Sequence, residues 1–432
     1  MKRTPAETVV EFLSFSGDVP YCTSQFKTFS HRRWQRVLQW MDDHGLAFYF
    51  LQRVKDTKTT NAIPDWVRSR LDQTFDCNRR RMDDLSRRFD TINHKFHDAG
   101  IPFAVVKGFS LVPQFCPNAS LRYQGDLDYL VDDASLMAAQ RILIEAGYSP
   151  KPQISNQEIT FLLPGAGKAS RRQEQYSPEA PHAVELHLDI WDSELNRLPL
   201  LERQFSLERA ITHQWNGLAF PALSEEDAFL LQVLHVCRHL FTYWVRMSCL
   251  YEIGYFLSKR AADTAFWRRL DERAGQSRVL RELIVVVTEL TVQLFAPSVP
   301  LAVRAWVDDI RPATRIWIEK YARRCAFSEV PVYEFTLFPR SKLVLFLHQQ
   351  YQNDCAQKNV LRSQLIVLSR LSRLVSSVKS DPSLLLNPGW WKRQLFIRRG
   401  LFHALAGLRY VCEIPRWRWL NRPRVRAAST SG

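Results

Sequence analysis

No CxxC pair occurs anywhere in the 432 residues, and no stretch approaches the about 18 uninterrupted apolar residues of a membrane-spanning helix. Glycine is sparse at 15 and proline ordinary at 22, which excludes a fibrous repeat and a disordered composition. No self-similarity at a period of about 20 to 50 residues marks a solenoid. The opening MKRTPAETVVEFLSFSGDVP starts basic, but polar and acidic residues break the apolar stretch that follows, unlike a secretory signal. The eight cysteines, at 22, 77, 116, 237, 249, 325, 355 and 412, are scattered. That pattern suits reduced thiols in the cytoplasm better than a disulfide framework or a zinc ribbon.

What is present is a large core. The chain is 46% hydrophobic and 12% aromatic, enough for about two or three globular domains. The net charge of +15 is unevenly spread: from Arg340 onward, 17 Lys and Arg face only Asp354, Asp381 and Glu413, a local net of +14. This end is also rich in tryptophan, as in NPGWWKRQLFIRRG and IPRWRWLNRPRVR. Basic residues interleaved with tryptophan can bind nucleic acid or an anionic membrane surface, or form the outer face of a helical region with a loose tail.

The hydrophobic pattern changes along the chain. Residues 1–95 read as a helical N-terminal region, with Trp34, Val37, Leu38 and Met41 at helical spacing and one long charged helix from about Pro64 to Gly100. Residues 96–222 mix strands and helices, with strand candidates in IPFAVVKG, DLDYLV, EITFLLPG and AVELHLDIW. A helical domain follows over 223–335, and the basic, Trp-rich helical region and tail occupy 336–432. The expected fold class is α+β: a small mixed-sheet core flanked by N-terminal and C-terminal helical regions.

Chemistry concentrates in that core. Asp126 and Asp128 lie one residue apart in DLDYLV, so on a strand both carboxylates share a face. On AVELH, Glu185 and His187 alternate in the same way. Three carboxylates on adjacent strands make a hard oxygen site suited to Mg²⁺ or Mn²⁺. Without metal they repel, so at least one is expected to have a raised pKa, and Asp128→Asn is expected to melt at or above the wild-type temperature in EDTA.

The order Lys107-Gly108-Phe109-Ser110, then Asp126-Leu127-Asp128, then Glu185 resembles the nucleotidyltransferases of the DNA polymerase beta superfamily. Within it the chain is similar to the uncharacterised bacterial nucleotidyltransferase family, in VVKGFSL, LRYQGDLDYLV, AGY, ELHLDIW, LLQVLHVCRHL and RMSCLYEIGYFL, over roughly residues 10–330. Phe109 separates the turn glycine from the serine, where the superfamily often has them adjacent; Glu252 stands where the family usually has Asp.

The resemblance implies an enzyme that transfers a nucleoside monophosphate from an NTP to a hydroxyl or phosphate acceptor and releases pyrophosphate. Asp126, Asp128 and Glu185 would hold the metal, Glu185 also helping to draw the acceptor proton. Lys107, Gly108, Ser110 and Arg122 would bind the nucleotide phosphates, or Lys107 would pair with a carboxylate in the empty enzyme. His187 would touch substrate or serve a structural hydrogen bond. The acceptor class implied is a small molecule, saccharide or peptide intermediate. The alternatives are a binding protein for nucleic acid or membrane that uses the C-terminus, and an RNA- or tRNA-directed nucleotidyltransferase.

Two further signals carry bland readings. His235 and His239 have the spacing of a zinc pair, but the segment lacks H-E-x-x-H and a third ligand, which favours packing. GAGK at 165–168 lacks phosphate-loop spacing and reads as a loop near the site mouth.

Overall fold

The computed structural model describes residues 3–151, 157–163, 175–189, 205–241, 245–275 and 277–327, with isolated positions at 408, 411, 412, 415 and 419. The GAGK loop, the end of the ELHLDIW segment and, those isolated positions apart, the basic region 336–432 lie outside the described residues. Two compact units are formed: residues 1–239 with 245–308, and residues 240–244 with 309–432. Within the second, helices Pro312–Trp317 and Arg323–Ala326 are joined by a π-helical turn at Ile318–Ala322. No helix among the described residues is long and apolar enough to cross a membrane.

The first unit is α+β. Its N-terminal helices are α1 (Pro5–Leu13), α2 (Val19–Phe26), α3 (His31–His44), α4 (Ala47–Asp56) and α5 (Asp65–Asp98). Their ends follow local chemistry. Thr4 and Glu7 form a capping box on α1, Ser30 caps α3, and Gly45 closes α3 at a φ of 68° that favours glycine. The expected α3 stripe of Trp34, Val37, Leu38 and Met41 is buried. The long helix α5 has Pro64 as N-cap and Ala99 as C-cap, just before Gly100, and its apolar row Met82, Leu85, Phe89, Ile92 and Phe96 recurs every three or four residues.

That row covers one face of a seven-stranded mixed sheet, ordered β3-β4-β5-β2-β1-β7-β6. The strands are β1 (Phe103–Val105), β2 (Asp126–Val131), β3 (Ser149–Pro150), β4 (Glu158–Leu162), β5 (Ala183–His187), β6 (Ile211–Trp215) and β7 (Leu218–Ala222). β2 pairs parallel with β5, and β1 parallel with β7; the other pairs are antiparallel. Phe89 sits at the centre of the packed layer, 4.9 Å from the Phe109 ring and 4.8 Å from that of Phe220. Burying one such ring contributes about 2–3 kcal/mol.

Helix α6 (Leu136–Glu145) packs beside α5. After the sheet come α7 (Glu225–Phe241), α8 (Met247–Arg260), α9 (Thr264–Ala274), α10 (Arg278–Phe295) and α11 (Leu301–Asp308). Helix α8 packs on α10, which also contacts α1, so the N-terminal helices and the post-sheet helices share one core.

Candidate active site

Strand alternation sorts the side chains of the sheet into two sets. Leu127, Tyr129 and Val131 of β2, Val184 and Leu186 of β5, and Ile159 and Phe161 of β4 enter the core under α5. Their neighbours therefore point to the opposite face: Asp126 and Asp128, Glu185 and His187, and Glu158. Parallel pairing of β2 with β5 sets Asp128 opposite Glu185 and Asp126 opposite Ala183. Antiparallel pairing of β4 sets Glu158 opposite His187.

Lys107 follows β1 and donates from Nζ to Asp128 Oδ1 at 2.6 Å. His187 Nε2 stands 3.0 Å from the same oxygen and 3.7 Å from Glu185 Oε2. On its other side, His187 Nδ1 is 3.9 Å from Glu158 Oε2, which Arg238 of α7 approaches at 3.6 Å. Asp128, Glu185 and His187 each offer a ligand atom within 4.8 Å of one another. The tightest set therefore includes His187 rather than Asp126, because the register puts Asp126 one pleat further along, beside Ala183.

The charges divide unequally. Burial works to raise the Asp128 pKa, but Lys107 and His187 outweigh it and hold the carboxyl below the ordinary range. Burial raises Asp126, with Asp128 adding to the shift and Lys107 and Arg246 opposing it. Burial, then Asp128 and Asp126, push Glu185 up to about 9. Lys107 stays protonated: burial opposes its charge, yet Asp128, Asp126 and Glu185 raise its pKa. A raised carboxyl was the expectation. For Asp128→Asn the structure points the other way from the sequence expectation, because Asp128 faces an ammonium rather than a bare pair of carboxylates.

The turn after β1 is clamped from several sides. Gly108 adopts a φ of +64°, and a Cβ there would lie 2.2 Å from Gln124 Nε2. Gln124 Nε2 donates to the Asp126 carbonyl at 2.9 Å, which fixes the amide that lies against Gly108. Arg122 donates from Nη1 to the Gly108 carbonyl at 3.4 Å and from Nε to Glu252 Oε1 at 2.8 Å. Tyr49 of α4 donates to that same glutamate oxygen at 2.8 Å. Phe109 is fully buried and stacks on Trp215 at 4.2 Å, which explains why a phenylalanine can follow the glycine. Ser110 donates both its N–H and its hydroxyl to the Lys107 carbonyl, at 3.4 and 3.2 Å.

Lys107, Gly108, Asp126, Asp128, Glu185 and His187 thus meet at one end of the sheet, while Arg122 and Ser110 are engaged in holding the turn. Gln124, Glu158, Arg238 and Glu252 join them without having been singled out as site residues. Alternation back from Asp126 reaches Gln124, a local signal; the other three depend on contacts between distant segments. His235 and His239 have ring centroids 4.6 Å apart and no third metal-ligand group beside them among the described residues. Burial, His239 and Lys107 lower the His235 pKa, and burial with Arg246 and Arg238 brings His239 down to about 3, so both rings are neutral.

The model of the family described as uncharacterised nucleotidyltransferase matches residues 30–296. A solved structure of an antigenic nucleotidyltransferase-like protein from Paracoccidioides brasiliensis is similar at 13% identity and a TM-score of 0.29, over 51% of this chain and 96% of that one. No curated protein matches. The family rests on the first match, which spans well over half of the chain and contains the turn, both acidic strands and α8: the chain belongs to the uncharacterised nucleotidyltransferase family and is a nucleotidyltransferase.

Proposed function

We propose that this enzyme transfers a nucleoside monophosphate from an NTP to a hydroxyl or phosphate acceptor, releasing pyrophosphate, and depends on a divalent cation. The observation that carries the reading is the register of β2 against β5, which faces Asp128 with Glu185 while Asp126 shares their side of the sheet. The donor set fits Mg²⁺ or Mn²⁺. It is mostly hard carboxylate oxygen, and three carboxyls share the site with one ammonium, Lys107; burial, then Asp128 and Asp126, push Glu185 up to about 9. Asp126, Asp128 and Glu185 would hold the cation, with His187 bracing Asp128. When bound, the cation would supply charge stabilisation at the α-phosphate.

The remaining roles fall to the chain itself. An acceptor oxygen attacks the α-phosphorus, the bond to the bridging oxygen of the β-phosphate breaks, and pyrophosphate leaves. Glu185, once ionised, accepts the acceptor proton. Lys107 has a protonated ammonium 19% exposed beside Asp128, and it can turn to a phosphate oxygen when the carboxylate is otherwise neutralised. The Gly108 turn lets backbone approach the phosphates. The acceptor we favour is a small molecule, saccharide or peptide intermediate, in the cytoplasm, where NTP is supplied.

Titration calorimetry with Mg²⁺ and each NTP in turn tests the reading. At least one Mg·NTP should bind to the wild type, and binding should be lost in Asp126→Asn/Asp128→Asn that retains a cooperative melt. Binding that survives in the double variant would sink the metal assignment.

A further inference from the structure

The triphosphate tail brings about four negative charges into a site where the two basic residues expected to bind the phosphates, Lys107 and Arg122, are both engaged. Lys107 is on Asp128. Arg122 has a side chain only 15% exposed and divides its donors between Glu252 and the Gly108 carbonyl. Breaking that pair to reach a phosphate would leave the buried Glu252 carboxylate without its cation and release the turn from its strut.

A different guanidinium is placed for the task. Arg246 immediately precedes α8, and its Cζ lies 5.5 Å from the ring centroid of Tyr123, three residues before Asp126. Arg81 stands 5.7 Å from the same ring, but its donors go to the carbonyls of Ser177, Ala180, Gln124 and Pro181. Among the described residues no carboxylate pairs with Arg246. A guanidinium held by an aromatic face keeps its edge donors for an anion, and planar bidentate donation suits phosphate oxygens. The stem passes Gly45, where a Cβ would come within 3.3 Å of Arg246 Cδ, so the glycine leaves its path open. The helix that Arg246 precedes starts without a side-chain hydrogen bond from its N-cap residue.

We propose that Arg246 binds the phosphate tail of the nucleotide, while Arg122 is a positioning residue that ties the Gly108 turn to Glu252 of α8. The inference rests on the NTP-dependent reading above and names the group that recognises the donor's β- and γ-phosphates. It divides the two arginines by role: one grips ligand, the other braces the turn.

The test is equilibrium binding of Mg·ATP, Mg·GTP, Mg·CTP, Mg·UTP, Mg·pyrophosphate and nucleoside monophosphates to the full chain and to Arg246→Gln, with melts of both in EDTA. Loss of charge-assisted hydrogen bonds should weaken the bound Mg·NTP and Mg·pyrophosphate about ten- to hundredfold. Monophosphate affinity and the EDTA melting temperature should stay as in the wild type. If the wild type binds no Mg·NTP, the enzymatic reading fails and this inference with it. If the wild type binds and Arg246→Gln binds equally well, or loses monophosphate to the same degree, the assignment of Arg246 alone is overturned. Should Arg246→Gln not fold, Arg246→Lys carries the same comparison: at least about threefold weaker pyrophosphate binding supports the proposal, and wild-type affinity overturns it.

Discussion

Replacing Glu185 with Gln should stabilise the metal-free protein, and by an amount that grows with pH. The folded-state pKa of Glu185 is pushed from 4.5 up to about 9 by burial and by Asp128 and Asp126. The sign follows from proton binding. Between these two values the folded state holds a proton that the unfolded state has lost, so stability falls as pH rises through the window. At about 1.36 kcal/mol per pH unit above 4.5, the wild type gives up at most about 3 kcal/mol by pH 7 and under about 1 kcal/mol by pH 5. Gln keeps the shape of the protonated acid and has no proton to lose, so it is spared this cost. For a protein of this size the pH 7 difference corresponds to a melting shift on the order of 5 °C. The assay is a pair of thermal melts in EDTA at pH 5, 6, 7 and 8. The variant should match the wild type at pH 5 and rise above it as pH increases. With Mg²⁺ and NTP only the wild type should gain further, because a cation favours the ionised carboxylate that Gln cannot supply. A variant that melts below the wild type at pH 8, or a gap independent of pH, would refute the electrostatic account of the site.

Asp128→Asn should behave in the opposite way in EDTA. It strips Lys107 of its 2.6 Å partner and should lower stability by about 1–3 kcal/mol, read as a lower melting temperature; an unchanged or higher one would mean the ion pair is not formed. Gly108→Ala should cost about 1–2 kcal/mol and weaken Mg·NTP binding, because a Cβ at a φ of +64° collides with the Gln124 amide. Wild-type melting and affinity in that variant would show that the turn has freedom the geometry denies it.

Local periodicity determined much of this protein. The alternation in DLDYLV and AVELH is enough to put Asp126 with Asp128, and Glu185 with His187, on single faces, because a strand has a period of two whatever surrounds it. The three- and four-residue spacing of Met82, Leu85, Phe89, Ile92 and Phe96 likewise marks the buried side of α5. The motif order was enough to indicate a nucleotidyltransferase with an α+β fold. The Asn216-Gly217 turn, with φ of 47° and 80°, is a local hairpin signal for β6 and β7 that the strand expectations did not include. The rest depended on contacts between distant segments. Only the parallel register of β2 on β5 decides that Asp128, rather than Asp126, faces Glu185. Only the packing of α8 brings Glu252 to Arg122 across 130 residues, so that a candidate phosphate ligand is hydrogen-bonded to a buried carboxylate. The pKa values divide for the same reason: desolvation and charge act through space, so two aspartates one residue apart in sequence acquire opposite shifts once Lys107 stands beside one of them.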